Sequence, residues 1–496
     1  MPHELSSSTM QAIILCGPGV SLAPLTSSPD EFPKALIPIA NRPMVWYPLQ
    51  WCRRAAISHV SLVIHSSSAP ALRSAMAADP HLNSFTPRII SPKHLTHNSG
   101  TAEILRMSEV VAVLSSDFVV LPCDFVTDMD GTTLVELFLS LSPENPLRGG
   151  MGLWYQATGT SALKGEEPDF IATTQLANTK LGRRSNDGLT YSRLVVAMPA
   201  DALNDVLDEG AGLRIRKSLI QANPALKLLR SCRDAHVYFL PHWILNFIAL
   251  NKSIDSISED VIGLWAKASW QPSLAAQLGF EDLSKTECSE IDIELAGLLQ
   301  GSDSEPNDNG SNIILAPPII AAIQSSVGGT TPIIRRVDTP TLLLSISRQI
   351  ARLPTQDEAS GTINPLAHAV RITSPKMVAP RCTTGKLDSL LAHQVDMQEK
   401  SMIKDSVIGP GVVIGPSGRI SGCVVMEGSN IGPGCSLEDT VVGRRCNIGP
   451  RCRLKDCVIQ DRYTMAPETE AKDQTFSTGA GLEEWPDEPE LSDDDT

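Results

Sequence analysis

The sequence predicts an α/β domain followed by a left-handed parallel β-helix of hexapeptide repeats. Two observations indicate this order. Between residues 10 and 266, short aliphatic runs alternate with amphipathic stretches, which is the rhythm of an α/β fold. Between residues 403 and 459, aliphatic side chains recur at spacings of 6, 6 and 5, so that a unit of 17 residues repeats. A triangular coil of three short parallel strands has such a unit.

The elements of the α/β domain follow from hydrophobic patterning. Aliphatic runs at Gln11–Cys16, 60–64 and 118–121 predict buried strands of a parallel sheet. Amphipathic stretches at 43–56 and 101–114 predict the helices between these strands. This alternation of strand and helix is typical of parallel sheets with crossover helices.

Composition divides the rest of the chain. Residues 301–312 have too few apolar side chains to offset the entropy of ordering them, which predicts a disordered or loosely packed insertion. A further helix is expected at 341–353. The expected segments are a flexible N-terminus at 1–9, the α/β domain at 10–270, the insertion at 271–330, a helical connector at 331–370, the β-helix at 371–465 and an acidic disordered tail at 466–496.

The repeat predicts the β-helix residue by residue. Segments of five residues superpose position by position at intervals of 17, starting from Ile403. Each hexad places one aliphatic residue inward, and Gly409 and Gly449 mark corners whose unusual backbone angles glycine can adopt. A β-sandwich would instead show alternation with period two. Residues 401–465 contain no histidine, and this absence disfavours the acyl transfer that some hexapeptide-repeat proteins catalyse. The open strand edges of a short stack of coils need covering, and a partner subunit can cover them.

Net charge and cysteine content narrow the classes of function. The chain has 41 Lys and Arg against 56 Asp and Glu, and its net charge of −15 argues against direct binding of nucleic acid or anionic membranes. Residues 483–495 hold eight of these acids, expected to solvate a tail or to contact a basic partner. Without these eight residues the net charge of the chain is −7, so the net charge does not exclude local basic patches on the folded part of the chain.

The cellular compartment is expected to be the cytosol. No apolar run is long enough to cross a bilayer, and the N-terminus lacks the pattern of a signal peptide. Eleven cysteines occur without any CxxC pair, so neither a disulfide framework nor a zinc cluster is indicated. We expect buried, reduced thiols.

A glycine loop follows the first predicted strand, and a Pro-Lys segment follows the loop. The loop contains Gly17 and Gly19, and a turn of this kind can bring backbone N–H groups against a phosphate. The second segment begins at Pro33 and Lys34 and continues with a P…N.P pattern. Together, the two motifs resemble those of sugar-nucleotide pyrophosphorylases, GGxGTRLxPLT and PKPxxPVxNxP. The resemblance implies a Rossmann-like, nucleotidyltransferase-type domain.

Two further motifs fit this resemblance, but several residues of the family are missing. Gly100 lies in a segment similar to the family's base-contacting GTA string, and Asp124 occupies the place of its metal-binding aspartate. Cys16 replaces the first glycine of the loop. Val20 and Ser21 replace a Thr-Arg pair, which removes the guanidinium that clamps the leaving pyrophosphate. The family's Glu-Lys-Pro segment and second metal aspartate have no recognisable counterpart. The departures imply lost pyrophosphorylase chemistry, without a catalytic residue or a metal site.

The retained family residues define the candidate site. They are Gly17, Gly19, Lys34, Gly100 and Asp124. One interpretation is a vestigial nucleotide pocket that binds GTP or ATP weakly and requires no cofactor. The other is structural, with Lys34 and Asp124 as an ion pair and the glycines shaping turns. His65, His242 and His393 show no triad or metal spacing, so we expect them to be ordinary polar or packing residues.

A degenerate nucleotidyltransferase domain joined to a β-helix resembles the gamma subunits of eukaryotic translation initiation factor 2B. The strings that carry the resemblance are NRPMVWYPL at 41–49, VLPCDFVTD at 120–128, DAHVY at 234–238 and the coils at 403–459. The resemblance implies a non-catalytic regulatory subunit that forms a heterodimer with the catalytic epsilon subunit. It also implies assembly with the alpha, beta and delta subunits, and initiation factor 2 as the substrate of GDP/GTP exchange.

Because only a short segment follows the coils, we expect the catalytic helical domain of epsilon to be absent, and the resemblance is therefore to gamma. Two alternatives stay open. One is an active enzyme similar to mannose-1-phosphate guanylyltransferase. The other is the non-catalytic regulatory subunit of such an enzyme.

Overall fold

A computed structural model gives the fold of residues 10–140, 147–159, 162–176, 188–208, 215, 217–223, 225–283, 316–324, 331–358, 361, 363–385 and 387–478. The chain divides into two compact units. The N-terminal unit comprises Met1–Leu22, Ser28–Ile346 and Asn364–Leu366, and the C-terminal unit comprises Ala23–Ser27, Ser347–Ile363 and Ala367–Thr496. The flexible N-terminus predicted at 1–9 lies outside the described residues.

A mixed sheet forms the centre of the N-terminal unit. The strands of this unit are β1 Gln11–Cys16, β2 Pro38–Ile39, β3 Arg42–Pro43, β4 His59–Ile64, β5 Arg88–Ile90, β6 Phe118–Pro122, β7 Phe125–Thr127, β8 Gly150–Gln156, β9 Asp169–Thr174, β10 Leu189–Met198, β11 Lys227–Leu240, β12 Ile319–Gln324 and β13 Ile334–Arg336. Nine of them form one sheet in the order β5-β4-β1-β6-β11-β8-β12-β10-β9. As predicted, β1 pairs in parallel with β4 and with β6. Beyond β6 the sheet is mixed, because β11 runs antiparallel to both of its neighbours, β6 and β8.

Short helices connect and cover these strands. They are α1 Trp46–Arg54, α2 Ala69–Ala78, α3 Thr101–Arg106, α4 Ser108–Val111, α5 Thr132–Ser140, α6 Ala200–Asp208, α7 Lys217–Ala222, α8 Ile244–Leu250, α9 Gly263–Ala268, α10 Pro272–Gln277 and α11 Pro340–Ala351. Single turns of 3₁₀ helix occur at Val20–Leu22, Lys34–Leu36 and Pro375–Met377, and a π-helix at Ile257–Ile262. The helix predicted at 101–114 is broken into α3 and α4, since Met107 is extended with φ −66° and ψ 134°.

The apolar face of α1 illustrates how the sequence fixes burial. Trp51 and Cys52 are fully buried on this helix, whereas Arg53 and Arg54 lie in its last turn, where the helix dipole favours positive charge. The guanidinium of Arg54 also donates hydrogen bonds to the backbone oxygens of Thr127 and Asp128, at 2.9 and 2.8 Å. These bonds hold the end of β7 against α1.

The prediction of an insertion at 271–330 is wrong at both ends. Residues 272–277 form α10, and β12 lies within the large sheet between β8 and β10. All six residues of β12 are buried, and strands β8 and β10 pair with its two edges. Residues 284–315 and 325–330, including the polar stretch at 301–312, lie outside the described residues.

The connector predicted at 331–370 also needs correction. It contains α11, but β13 precedes that helix and pairs antiparallel with β7, so this strand belongs to the N-terminal unit. The α/β unit therefore extends beyond residue 270, to Ile346. The remainder of α11, from Ser347, is part of the C-terminal unit.

Parallel strands of two or three residues build the C-terminal unit. They are β14 Thr383–Thr384, β15 Leu390–Leu391, β16 Asp396–Met397, β17 Met402–Lys404, β18 Val407–Ile408, β19 Val413–Ile414, β20 Arg419–Ser421, β21 Val424–Val425, β22 Asn430–Ile431, β23 Ser436–Glu438, β24 Val441–Val442, β25 Asn447–Ile448, β26 Arg453–Lys455, β27 Val458–Ile459, β28 Thr464–Met465, β29 Glu470–Lys472 and β30 Thr475–Phe476. Every third strand joins the same sheet, which gives two six-stranded sheets and one five-stranded sheet. This arrangement agrees with the predicted left-handed β-helix.

The register confirms the 17-residue repeat. Ile403, Ile420, Leu437 and Leu454 are successive partners in one sheet and form part of a buried column in the coil interior. The predicted role of the corner glycines is wrong in one respect. Gly409 and Gly449 do not have a positive φ. Each is required because the next coil passes so close that an added Cβ at Gly409 would lie 2.8 Å from a backbone nitrogen.

The coils also continue past the predicted end of the β-helix. β29 and β30 add another layer, so the tail predicted from residue 466 is wrong up to Phe476. Residues 479–496, with the acidic segment, lie outside the described residues. The ten described cysteines are free, and nine of them are buried, which confirms the predicted burial of the thiols. Among the helices that the structure describes, none has both the length and the apolarity that a membrane crossing requires.

Candidate functional site

A cavity of about 350 Å³ lies in the N-terminal unit where β1, β4 and β6 end. The carboxyl ends of parallel strands are the usual place for ligands in α/β sheets. Three residues of the predicted site line this cavity, namely Gly17, Lys34 and Asp124. Gly17 faces open space, since no neighbouring atom lies within 4 Å of the position that a Cβ would take.

The predicted Lys34 and Asp124 form a direct ion pair. Lys34 Nζ donates to Asp124 Oδ2 at 2.6 Å, and the two side chains are only 12% and 1% exposed. Burial alone would raise the pKa of Asp124, but the charges of Lys34 and Arg336 outweigh it and lower the pKa to about 2. Burial likewise opposes the charge of Lys34, yet Asp124 raises the pKa of Lys34 above its ordinary value. Both groups are charged at neutral pH.

The ion pair continues into a buried network that the sequence analysis missed. Arg336 Nε lies 3.8 Å from Asp124 Oδ1, and Arg336 Nη2 lies 3.1 Å from Asp338 Oδ2. Arg233 Nη2 donates to the same Asp338 oxygen at 2.8 Å. Positive and negative side chains therefore alternate from Lys34 to Arg233. Two members come from β13 and the residues after it, and the Arg335-Arg336 pair before Asp338 was the signal in the sequence.

His236 is a second residue whose position the sequence did not reveal. Its backbone is left-handed, with φ 53°, and its Nε2 atom accepts a hydrogen bond from Arg336 Nη1 at 3.1 Å. Burial and the charge of Arg336 lower the pKa of His236 well below its ordinary value. The imidazole is therefore neutral, which fits an acceptor for a guanidinium.

The loop residue Ser21, which stands where the family motif has arginine, does not line the cavity. Its hydroxyl donates to the backbone oxygen of Asp338 at 2.7 Å. Ser21 thus supports the buried network through a neutral hydrogen bond, and it supplies no positive charge. Val20, before it, is 77% exposed.

Gly19 and Gly100 differ from the other predicted site residues, since neither lines the cavity. Gly19 has φ 74°, a left-handed conformation that suits glycine in a turn. Gly100 precedes α3, and a Cβ there would lie 2.3 Å from the backbone oxygen of Asp255. The shape of the chain accounts for both glycines. Whether the cavity binds a nucleotide stays a prediction.

The histidines near the cavity do not form a catalytic arrangement. The rings of His65 and His97, which line the cavity, stack with centroids 4.5 Å apart. His65 Nδ1 also shares a hydrogen bond with Ser67 Oγ at 2.8 Å. The ring Nε2 atom of His242 lies 3.2 Å from the backbone oxygen of Leu114. These are the polar and packing roles expected for His65 and His242.

A second cavity of about 360 Å³ shares Arg336 and His236 with the first. Its lining is rich in carboxylates, including Asp169 and Asp234. Burial and the nearby charge of Asp169 raise the pKa of Asp234 to about 7, while Tyr238 donates its phenolic hydrogen to Asp234. Asp169 accepts hydrogen bonds from the backbone nitrogens of Asp234 and Ala200, at 2.7 and 3.0 Å.

The residues around Asp124 do not fit a magnesium ion. Magnesium needs oxygen ligands whose negative charge is free to face it. Asp124 is buried between two cations instead, and its Oδ1 atom, which has no hydrogen-bond partner, lies 3.8 Å from Arg336 Nε. Within the described ranges, no group of three or more His, Cys, Asp or Glu side chains is placed to hold a metal. We therefore derive no chemistry through a metal at this site.

Two family models match parts of the chain. The model described as nucleotidyl transferase matches residues 11–144, which contain the loop, Lys34 and Asp124. The model described as GMPPB C-terminal domain matches residues 387–477, the region of the coils. The first match and the three parallel sheets confirm the predicted fold class.

Curated relatives extend the comparison beyond single domains. Translation initiation factor eIF2B subunit gamma of Schizosaccharomyces pombe is 27% identical over 267 residues, which are 54% of this chain and 53% of that protein. This chain is similar to eIF2B subunit gamma. The Caenorhabditis elegans eIF2B subunit gamma is 23% identical over 270 residues, 53% of this chain and 59% of the relative. The resemblance inferred from the motif strings is confirmed, although the chain spans little more than half the length of these eIF2B gamma subunits.

Proposed function

We propose that this chain is a non-catalytic regulatory subunit of the guanine nucleotide exchange factor for eukaryotic translation initiation factor 2. Its direct partner is the catalytic epsilon subunit, and the pair acts with the alpha, beta and delta subunits in the cytosol. The substrate of the assembly is initiation factor 2. Similarity to two eIF2B gamma subunits supports the proposal.

The observation that carries the proposal is the direct pairing of Lys34 with Asp124. A pyrophosphorylase needs these two charges for substrate phosphate and metal. In this chain, the negative charge of Asp124 is balanced inside the protein by the positive charges of Lys34 and Arg336. Recruiting either charge for a substrate requires breaking a buried pair, which typically costs about 3–5 kcal/mol. The pairing therefore supports a structural role for the two charges, and Ser21 offers no substitute for the arginine of the family motif.

The proposed mechanism is positional, since no residue of the chain needs to move a proton or a phosphoryl group. The α/β unit supplies a packed surface for pairing with epsilon, and the β-helix supplies a stiff lateral wall. Six layers of strands spaced about 4.8 Å apart give a wall that rises about 24 Å. Each layer is hydrogen-bonded to the next along its backbone, so the wall keeps its shape when a partner binds.

The cavity beside Lys34 is proposed to bind GTP or ATP weakly, without a role in catalysis. Its volume of about 350 Å³ lies at the lower end of the range for small-molecule sites, about 300–1,000 Å³. The positive charges there are already engaged, which explains weak affinity. Calorimetry with GTP and with ATP up to millimolar concentration tests this point, and an absence of heat would remove the pocket from the proposal.

An active nucleotidyltransferase is the second candidate. The match of residues 11–144 to nucleotidyl transferases and the presence of Lys34 and Asp124 at the cavity favour it. Under this alternative, the isolated chain makes a sugar nucleotide such as GDP-mannose. Product formation that is lost in Asp124→Ala would replace our proposal with this one.

Co-purification with mass identification separates the candidates. The full chain is tagged and isolated from cells of its own source under mild salt conditions. We expect recovery of a longer, related epsilon-like chain in equal amount, together with the other subunits. Recovery of an active pyrophosphorylase without those subunits would instead support the regulatory subunit of a sugar-nucleotide enzyme.

A further inference from the structure

Cys16 and Cys123 lie side by side at the floor of the cavity. Cys16 ends β1, and Cys123 follows β6, the parallel neighbour of β1. The last paired residues of the two strands are Leu15 and Pro122, so the next step of the register brings the two cysteines opposite each other. The backbone N–H of Cys123 also donates to the oxygen of Leu15 at 3.1 Å, which holds this alignment.

The separation implied by this register suits a disulfide. Neighbouring strands lie about 4.8 Å apart, and the Cα atoms of disulfide-bonded cysteines are usually about 4.4–6.8 Å apart. Both cysteines are free thiols in this structure, and each shifts the pKa of the other. Bond formation therefore requires a change of side-chain rotamer and little movement of the backbone.

Access to the pair is through Cys16. This residue lines the cavity and is 8% exposed, whereas Cys123 is 1% exposed behind it. The neighbouring residue is Gly17, and no atom lies within 4 Å of the position that a Cβ would take there, so the space beside Cys16 is open. A small oxidant can enter there. Within the pair, Cys16 and the charge of Lys34 lower the pKa of the Cys123 thiol, whereas Cys123 and burial raise the pKa of the Cys16 thiol well above its ordinary value.

We propose that Cys16 and Cys123 form a reversible modification site, at which a small hydroperoxide converts the two thiols into a disulfide. In the first step, hydrogen peroxide transfers one oxygen to Cys16 Sγ, which gives a sulfenic acid and one water. In the second step, Cys123 Sγ attacks Cys16 Sγ, the S–O bond breaks, and the departing hydroxide takes the Cys123 proton as a second water. Two electrons from the thiols reduce one peroxide, and a dithiol reductant reverses the change.

The C-terminal unit provides a matched control pair. Cys435 and Cys452 occupy equivalent positions in successive coils of the β-helix, and their thiols donate to the backbone oxygens of Gly449 and Ala466, at 3.0 and 3.1 Å. Both are 1% exposed or less, and they pack among aliphatic residues of the coil interior. The thiols of this pair are thus engaged by backbone oxygens, whereas Cys16 is 8% exposed and lies opposite Cys123.

The test is a thiol count on the full folded chain. The protein is treated with limiting hydrogen peroxide, quenched with catalase, unfolded, alkylated and digested for mass spectrometry. We expect a Cys16–Cys123 cross-link that dithiothreitol removes, formed at least about tenfold faster than any cross-link between Cys435 and Cys452. Equal loss of thiols at both pairs, or oxidation that spares Cys16, would overturn the proposal.

Variants keep the result interpretable. Cys123→Ser should leave Cys16 as a sulfenic acid that dimedone traps, and Cys16→Ser should protect Cys123 from oxidation. Cys435→Ser should form the Cys16–Cys123 cross-link at the unchanged rate. Circular dichroism before treatment shows whether each variant is folded. A dimedone adduct absent from folded Cys123→Ser would contradict the proposed order of steps.

Discussion

Replacing Asp124 by Asn is the sharpest perturbation of the buried charge network. Asp124 is 1% exposed, and its carboxylate faces Lys34 at 2.6 Å and Arg336 at 3.8 Å. Asparagine keeps the shape of the side chain but removes its charge, so that two buried cations lose their counter-ion. Breaking a buried pair in this way costs about 3–5 kcal/mol. We expect Asp124→Asn to reduce the free energy of unfolding of the N-terminal unit by that amount.

The pKa of Asp124 gives an independent magnitude. A pKa lowered from 3.8 to about 2 corresponds to about 2–3 kcal/mol of stabilisation at neutral pH. Because the pKa is depressed in the folded state, this stabilisation is complete above pH of about 4 and is lost as the pH falls through about 2. Asp124→Asn should therefore flatten the acid limb of the stability profile, in addition to lowering the plateau.

Urea unfolding followed by tryptophan fluorescence measures this effect. Six of the seven tryptophans belong to the N-terminal unit, so the signal reports that unit. Asp117→Asn is the control, since Asp117 pairs with Arg148 at 2.7 Å but the side chains are 25% and 29% exposed. The control should lose no more than about 1 kcal/mol. Equal, small losses in both variants would refute the claim that the Asp124 pair is structural.

Three further predictions address other parts of the molecule. The pKa of Asp234 is raised from 3.8 to about 7, so between these pH values the folded state retains a proton that the unfolded chain has lost. The free energy of unfolding, measured by urea titration at each pH, should therefore fall by up to about 4 kcal/mol from pH of about 4 to about 7, and Asp234→Asn should abolish that decline. Gly409→Ala should destabilise the β-helix by about 1–3 kcal/mol in unfolding followed by circular dichroism, because the new Cβ would lie 2.8 Å from the backbone of the next coil. Gly361→Ala, where no atom lies within 4 Å of the new Cβ, should change the free energy of unfolding by less than about 0.5 kcal/mol, and equal effects of the two variants would contradict this explanation. Arg348→Ala should lower the free energy of unfolding by about 1–3 kcal/mol in thermal unfolding, since Arg348 is 25% exposed and pairs with both Asp405 and Asp439. Arg451→Ala should lower it by at most about 0.5 kcal/mol, because Arg451 and its partner Glu468 are 72% and 61% exposed, and a larger loss for Arg451 would contradict this ranking.

Local patterns predicted much of the fold. β1 was predicted with its exact bounds, because a run of buried aliphatic residues between polar neighbours is a local signal. The coils were predicted by period, since each layer repeats the same contacts with the next. β12 was missed because it is a short apolar run beside polar, low-complexity sequence, and only its two partner strands make it part of a sheet.

The site divides in the same way. The motifs placed Lys34 and Asp124 in one site, and the structure brings them together 90 residues apart in the chain. The sequence could not decide between an ion pair and a ligand pocket, because that choice depends on a distance of 2.6 Å. Arg336 and Asp338 were missed because their partners lie far away in sequence, and no periodicity connects β13 with β6.

GDP release from initiation factor 2 tests the central claim most directly. The reaction is measured for the epsilon subunit together with the alpha, beta and delta subunits, with and without this chain, at equal concentrations. If the chain is a non-catalytic regulatory subunit, it releases no GDP alone and accelerates release by the other subunits. Acceleration should persist in any folded Ser21→Ala variant, because no catalysis at the cavity is involved. An unchanged rate of GDP release when the chain is added to the other four subunits would contradict the account.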